Sequence, residues 1–251
     1  MSTLLLLLKG PLQSWGAGEV NRRWTHHHPT KSGVVGLLAA AEGRPRGADL
    51  TDLVELTVGI RVDQPGDLLV DYHTVSRYDG VPLPRAEDGK RTQPPKPALQ
   101  TRRHYLQDAV FLVAVTGGTP GRIGELDTAL RRPVYPLFLG RRSCPPSVPV
   151  SLGVHAVSLD AALATEPWHA ARHHRRKYHD DVVELPTILD DPSGPGETLH
   201  DVPVSFDQLT RSYTRRRVRR STVLIPHPDR RRTPATPPPP PPHDPLALLE
   251  D

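Results

Sequence analysis

The hydrophobic pattern divides into short apolar runs that end at glycine or proline, which is typical of a fold that mixes strands and helices. Strand patterns occupy residues 3–9, 56–63, 68–76, 103–116, 148–157 and 213–225, and another apolar stretch begins at Tyr135. Helix patterns occupy 34–41, 121–131 and 158–165, with a helical turn at 49–54. The order strand, helix, strand, strand, helix, strand predicts an α+β fold with a ferredoxin-like, RRM-like βαββαβ core.

Boundaries and connections can be predicted from single residues. Thr30 or Ser32 is placed to cap the first helix, and Gly66-Asp67 predicts a hairpin turn between the second and third strand patterns. Residues 11–29 are expected to be irregular. Residues 77–101 lack apolar periodicity and carry several prolines and basic residues, which predicts a projecting arm because so long a loop is uncommon.

The chain is predicted to contain a core at 1–165, a smaller, irregular β-rich part at 166–225 and a tail at 226–251. Residues 166–200 are polar and rich in turn-forming residues. The tail contains the run Pro237 to Pro242, which favours an extended polyproline conformation outside any core, so we expect it to be mobile.

Composition narrows the functional classes. The chain has 251 residues, 30 prolines and only 5% aromatic residues, so a broad base-stacking platform is not expected. The single cysteine excludes an internal disulfide and a cysteine-based zinc site. No apolar run has the length of a membrane span, and the leucines at 4–8 are too few for a signal peptide, so a cytoplasmic location is expected.

Basic residues indicate phosphate binding. Of the 32 basic residues 27 are arginine, whose planar guanidinium binds phosphate in a bidentate manner. They recur at turns and at a helix start in separate parts of the chain: Lys31, the turn Gly140-Arg141-Arg142, the arm at 85–103, and the cluster at 211–220. This recurrence favours nucleic acid as the ligand, the alternative being separate solvated patches.

The sequence gives less support to metal binding and to RNA cleavage than to phosphate binding. The run His26-His27-His28 suggests a metal, but adjacent residues rarely converge on one ion, so a solvated loop is the better interpretation. Metal-independent RNA cleavage could use pairs such as Tyr72-His73 or His104-Tyr105, although 13 histidines make chance neighbours inevitable. No P-loop, dinucleotide-binding or nucleophile-elbow motif occurs. No catalytic residue, metal or other cofactor is predicted.

Four motifs together resemble the CasD family, RAMP-superfamily subunits of the type I-E CRISPR surveillance complex Cascade. They are Gly10-Pro11-Leu12-Gln13-Ser14-Trp15-Gly16, the stretch 29–38, the stretch 101–109, and Leu139-Gly140-Arg141-Arg142-Ser143-Cys144-Pro145. They occur in the family's order and cover roughly residues 3–165. The remaining third of the chain matches weakly, and the cluster at 215–220 and the polyproline tail depart from the compact ending of the family.

The resemblance implies a RAMP fold with a β-hairpin thumb at 77–104. It also implies a non-catalytic, antiviral role, in which the subunit caps the 5′ handle of the CRISPR RNA. The implied protein partners are the CasC backbone subunit and the large PAM-reading subunit, with target DNA contacted indirectly and no membrane. The RNA-binding residues expected are Gln13, Trp15, Arg22, Arg23, Lys31, Ser32, Lys96, Arg102, Arg103, Arg141 and Arg142. The alternative is a metal-independent endoribonuclease, because the type I-C relative cuts repeat RNA. That relative pairs a lysine with a histidine, and no Lys-His dipeptide occurs here.

Overall fold

A computed structural model describes residues 2–17, 22–75, 99–207 and 209–230. The strands of these ranges are β1 (Thr3–Lys9), β2 (Leu12–Gln13), β3 (Trp15–Ala17), β4 (Arg22–His26), β5 (Thr57–Gln64), β6 (Asp67–Val75), β7 (Leu99–Gln107), β8 (Val110–Thr116), β9 (Ser151–His155), β10 (Val182–Asp190), β11 (Glu197–Ser205) and β12 (Ser212–Pro226). The helices are α1 (Lys31–Ala41), α2 (Thr51–Val54), α3 (Arg122–Arg131), α4 (Leu159–Thr165) and α5 (Arg172–Arg175).

The main sheet contains the predicted ferredoxin-like unit. Its strand order is β11-β12-β10-β5-β8-β1-β9, and all its pairings are antiparallel. Within it, β1, β5, β8 and β9 form the four-stranded core, with α1 crossing from β1 to β5 and α3 from β8 to β9. The predicted α+β class and the order of the βαββαβ unit are therefore confirmed.

The uninterrupted apolar run of β1 follows from cover on both faces of the sheet. Leu4, Leu6 and Leu8 pack into the large core beneath α1 and α3. Leu5 points the other way and packs with Leu163 of α4. Because neither face meets water, this strand shows none of the polar alternation expected of a half-exposed strand.

Thr30 determines where α1 begins. Its hydroxyl accepts a hydrogen bond from the backbone N–H of Gly33 at 3.1 Å, so the threonine is the N-cap and one of the two predicted caps is confirmed. The helix buries Val34, Val35 and Leu38 against the sheet.

The chain passes between the main sheet and a second sheet at two sharp turns. The sequence predicts a continuous strand at one of them and a hairpin at the other. The predicted single strand at 103–116 is two strands, β7 and β8, which are separated by Asp108 with a φ of 58°. The predicted hairpin at Gly66 is wrong, because β5 pairs with β8 and β10 whereas β6 pairs with β7. Gly66 instead turns the chain between sheets, and a Cβ there would lie 2.6 Å from the carbonyl oxygen of Gln107.

A second, smaller sheet forms around β7. On one side β7 pairs with β2 and, in parallel, with β4, and on the other side it pairs with β6 along nine residues. The prediction that 11–29 is irregular is therefore wrong for β2, β3 and β4. Strands β2 and β3 are only two and three residues long and β4 is mostly polar, so periodicity could not reveal them.

The apolar stretch that begins at Tyr135 is not a strand. The backbone N–H groups of Val134 and Tyr135 donate to the carbonyls of Ala41 and Ala40, so this segment caps the C-terminal end of α1. Its apolar residue Leu139 is fully buried under the loop. The next strand is β9, within the predicted range 148–157.

Strands β10 to β12 extend the main sheet, since β10 pairs with β5. The prediction of a strand at 213–225 is confirmed by β12, but the predicted turn-rich segment 166–200 contains β10 and the start of β11. The predicted C-terminal part thus shares its sheet with the core. Most of the predicted thumb and nearly all of the tail lie outside the described residues.

A buried ionic network joins this extension to the start of α1. Lys31 Nζ lies 3.0 Å from Asp190, and the guanidinium of Arg216 contacts Asp190 and, at 2.7 and 2.8 Å, both oxygens of Asp201. The backbone N–H of Lys31 donates to Asp201 at 2.8 Å. Burial opposes ionisation of Asp201, but the bonds from Arg216 outweigh it and hold the pKa of that carboxyl below its usual value.

The substitution Asp201→Asn should destabilise the fold by about 3 kcal/mol, because it leaves buried Arg216 without one of its two carboxylate partners. Glu197→Gln is the matched control, since Glu197 pairs with Arg220 on the same two strands but at the surface. We expect no measurable change from the control. Urea unfolding followed by circular dichroism measures both, and equal stabilities would contradict a structural role for the network.

Candidate nucleic-acid interface

The parallel pairing of β4 with β7 aligns four of the predicted arginines. Arg22 lies beside Arg102, and Arg23 lies beside Arg103. Because successive side chains of a strand point to opposite faces, the two pairs occupy opposite faces of the small sheet. We call the face of Arg23 and Arg103 the inner face and that of Arg22 and Arg102 the outer face.

The inner face is covered by the loop that carries Arg141. The Arg141 guanidinium carbon lies 4.9 Å from the ring centroid of Tyr105, and its Nη2 donates to the carbonyl of Arg23 at 3.1 Å. Nη1 of Arg141 is buried and has no hydrogen-bond partner among the described residues. Arg141 is therefore held in place, with one donor that the described residues leave unsatisfied.

Several positive charges converge on this face. The pKa of Arg23 is lowered from its usual value, first by burial and then by the charges of Arg103, Arg141 and Arg211. The carboxylate on this row, Asp71, lies 2.7 Å from His73 Nδ1. A bound anion would relieve the mutual repulsion of the arginines, which makes the inner face a candidate phosphate site.

Gly140 determines the course of the arginine loop. It has a φ of +84°, and a Cβ at this position would lie 1.9 Å from the carbonyl oxygen of Ser14. The loop is closed by Leu139 N–H donating to Cys144 O at 2.7 Å, and it is tied to the core by Ser14 N–H donating to Leu139 O at 3.1 Å. Arg142 projects from this loop and is exposed.

Cys144 lies beneath the same loop. It is buried, and this burial raises the pKa of its thiol. A buried neutral thiol has a packing role and none as a nucleophile.

Gln13 and Trp15 lie in the interior. Both are fully buried; the Gln13 amide nitrogen donates to the carbonyls of Leu8 and Ala109, and the Trp15 indole N–H donates to the Gln13 side chain. Neither side chain is accessible to a ligand in this structure. They tie the small sheet to the core. Sequence analysis expected them to contact RNA directly, but in this structure their role is to position the small sheet.

The start of α1 is likewise occupied by the chain itself. Lys31 is buried in the network with Asp190, and Asp201 takes the place at the helix N-terminus where a phosphate was expected. Ser32 is half-buried, with its hydroxyl 3.1 Å from that of Thr30. A phosphate there would have to displace a carboxylate, so Lys31 also serves the fold in this structure.

Sequence reasoning gave Trp24 no role and considered Tyr105 only for cleavage. The structure places Tyr105 under Arg141 and Trp24 on the outer face against His104. The alternation of β4 and β7 would have identified them only once the parallel pairing was known. Lys96 lies outside the described residues.

The histidines do not assemble a metal site in the described parts of the chain, where no group of three potential ligands converges. His28 departs from the predicted solvated loop, because it is buried with Nδ1 2.9 Å from Pro29 O, and this burial lowers its pKa. Nor does any helix in the described ranges combine the length and hydrophobicity that crossing a membrane requires.

The fold and this surface define a ferredoxin-like protein whose second sheet carries arginines and aromatic residues on both faces. Residues 3–219 match the family model "CRISPR-associated protein (Cas_Cas5)", so the chain belongs to the Cas5 family of CRISPR-associated proteins. The resemblance inferred from the four sequence motifs is thereby confirmed.

Individual relatives agree with this assignment. "CRISPR system Cascade subunit CasD" of Escherichia coli (strain K12) is 36% identical over 167 residues, which cover 61% of this chain and 70% of the relative. A chain of a solved "CRISPR RNA-guided surveillance complex" is 35% identical with a TM-score of 0.73, covering 89% of this chain and 91% of that one. A chain from "Crystal structure of Cas protein" is 34% identical with a TM-score of 0.66, covering 90% and 95%.

Gly140→Ala should destabilise the protein by about 2 kcal/mol or more, because alanine is strained at this φ and collides with Ser14. The matched control is Gly124→Ala in α3, where a Cβ has nothing within 4 Å and should stabilise the helix by up to about 1 kcal/mol. Thermal unfolding of both variants tests this. A tolerated alanine at 140 would contradict the role assigned to the glycine.

Proposed function

We propose that this protein is the subunit of a Cascade-type, CRISPR RNA-guided surveillance complex that binds the 5′ handle of the CRISPR RNA and does not cut it. The observation that carries the proposal is the grouping of arginines at the inner face of the small sheet, where Arg103 lies beside Arg23 and Arg141 stacks on Tyr105 and donates to the Arg23 carbonyl. The names of the relatives support the same role, since one is a Cascade subunit and another belongs to an RNA-guided complex.

The inner face suits the backbone of a single strand. Guanidinium groups bind phosphate through paired N–H donors, and partial burial strengthens each contact relative to one in open solvent. Arg141 is already oriented by Tyr105 and by the Arg23 carbonyl, so little side-chain entropy is lost when it binds. Arg142 extends the same loop toward solvent and can take an adjacent phosphate.

The predicted thumb at 77–104 belongs to this proposal as well. Strands β6 and β7 form an antiparallel ribbon that leads toward the thumb residues. We propose that the thumb prises a base from the stack and marks the end of the handle. The partners we propose are the CasC backbone subunit and the large PAM-reading subunit, with target DNA met through the assembled complex.

The absence of cleavage is a proposal argued from geometry. Metal-independent RNA cleavage needs a general base and a general acid on either side of one phosphate. At the inner face, Tyr105 is buried beneath Arg141, and the ring of His104 belongs to the opposite face, under Trp24. The two pairs considered from the sequence, His104-Tyr105 and Tyr72-His73, are each divided between the two faces, because adjacent strand residues point in opposite directions, so neither pair can flank one phosphate.

Replacing Arg23, Arg103 and Arg141 together with alanine should weaken the binding of handle RNA and flatten its dependence on salt. The slope of log K against log salt should fall by about 2, at about 0.7 for each phosphate contact in a single strand. The control removes the same charge from exposed positions elsewhere, with alanine at Arg46, Arg131 and Arg132. Fluorescence anisotropy at several salt concentrations measures both, and equal slopes would reject the inner-face site.

Purified protein incubated with repeat RNA in EDTA should leave the RNA intact. Gel analysis of end-labelled RNA checks this, with RNase A as the positive control for a cleavable substrate. Cleavage at one position that disappears in His104→Ala, while an equally pure His155→Ala protein still cuts, would establish the endoribonuclease alternative instead.

A further inference from the structure

The outer face of the small sheet carries a second arrangement, separate from the inner-face arginines. Register places Tyr72, Arg102 and Arg22 in one row and Val70, His104 and Trp24 in the next. Most of these side chains line a depression of about 250 Å³, namely Arg22, Trp24, Val70, Arg102 and His104. Its walls are thus aromatic, apolar and basic at once.

Trp24 is the main apolar surface of this depression. Its indole is 54% exposed and stacks on the His104 ring with centroids 4.2 Å apart and planes inclined by 23°. His104 covers one face of the indole, so the opposite face is the one left accessible. Val70 and Tyr72, which are also exposed, lie next to it on the same face, and a contiguous exposed apolar patch of this kind is typical of an interaction site.

The stack is rigid enough to be a platform. His104 is buried, with Nδ1 3.3 Å from the carbonyl of Arg23, and its own carbonyl accepts a hydrogen bond from the Ser14 hydroxyl at 2.9 Å. Trp24 lies on a strand that is paired to β3 on one side and to β7 on the other. The indole is therefore presented in one orientation before any ligand arrives.

Charge identifies the class of ligand. Arg22 and Arg102 flank the stack and form no ion pair with any described residue, and the Arg102 guanidinium carbon lies 5.9 Å from the centroid of the Tyr72 ring. A flat apolar surface between two uncompensated guanidinium groups matches a nucleotide, which has a planar base and a charged backbone. A protein partner would have to supply acidic groups on both sides of an apolar one.

We propose that the outer face binds one unstacked base of single-stranded RNA on Trp24, with Arg22 and Arg102 on the flanking phosphates. This inference rests on the proposed function, since it concerns the same RNA. Inner and outer faces are two sides of one sheet, so a strand that contacts both must pass around its edge. A flexible single strand can make that turn, whereas a stiff duplex cannot.

Tryptophan fluorescence of the full chain tests this directly. Of the three tryptophans, Trp15 and Trp168 are buried and Trp24 is exposed, so quenching by added RNA reports mainly on Trp24. We expect handle RNA to quench the emission, and an abasic nucleotide at one position of the handle to abolish the quenching. Trp24→Leu should weaken binding roughly tenfold, as expected for one stacked base, and Trp24→Phe should restore most of it.

Tyr135→Leu is the matched control, because it removes another exposed aromatic ring far along the chain and should leave binding unchanged.

The outcomes separate the proposed function from the Trp24 site. No RNA binding by anisotropy would reject the proposed function itself. Salt-sensitive RNA binding with no quenching, or quenching that no abasic position alters, would overturn the Trp24 site alone. Protection of Trp24 from acrylamide by co-expressed subunits in RNase-treated, RNA-free complex would also overturn it, by assigning the indole to a protein contact.

Discussion

The pairing of β7 with its neighbours is the constraint on which the candidate interface depends. This strand holds β2 and β4 on one side and β6 on the other, so every strand that carries an interface arginine or aromatic ring is registered against it or through it. Backbone hydrogen bonds between paired strands fix their register. A slip of one residue would exchange the two faces of the strand that moves. A slip would move Trp24 to the inner face and Arg23 to the outer face.

The small sheet is itself fixed to the main one through buried polar bonds. The Gln13 amide bridges the end of β1 and the start of β8, and the Ser14 hydroxyl bonds to the carbonyl of His104. A buried polar group without a hydrogen-bond partner destabilises the folded state. These hydrogen bonds therefore favour the one placement of the strands in which all of them form. The motif around Gln13 therefore acts on the ligand surface at a distance, by fixing its orientation.

Much of the main sheet could be predicted from the sequence, because its strands and helices are long and their burial is regular. Leu4 to Leu8 and the apolar part of β8 are examples, and so is the Thr30 cap. The small sheet could not be predicted, since β2 and β3 are two and three residues long and β4 is mostly polar. The parallel pairing of β4 with β7, which joins residues about 80 positions apart along the chain, leaves no local pattern.

The same limit explains why the predicted arginines divide into different roles. Arg216 and Arg23 look alike in the sequence, as each stands among other arginines. Arg216 faces two buried carboxylates and stabilises the fold, whereas the pKa of Arg23 is lowered first by burial and then by the neighbouring arginines. Clustering along the chain therefore says little about ligand binding. The distinction depends on which side chains the sheet brings opposite each arginine, and an arginine that meets mainly like charge in the folded protein is one that a phosphate can stabilise.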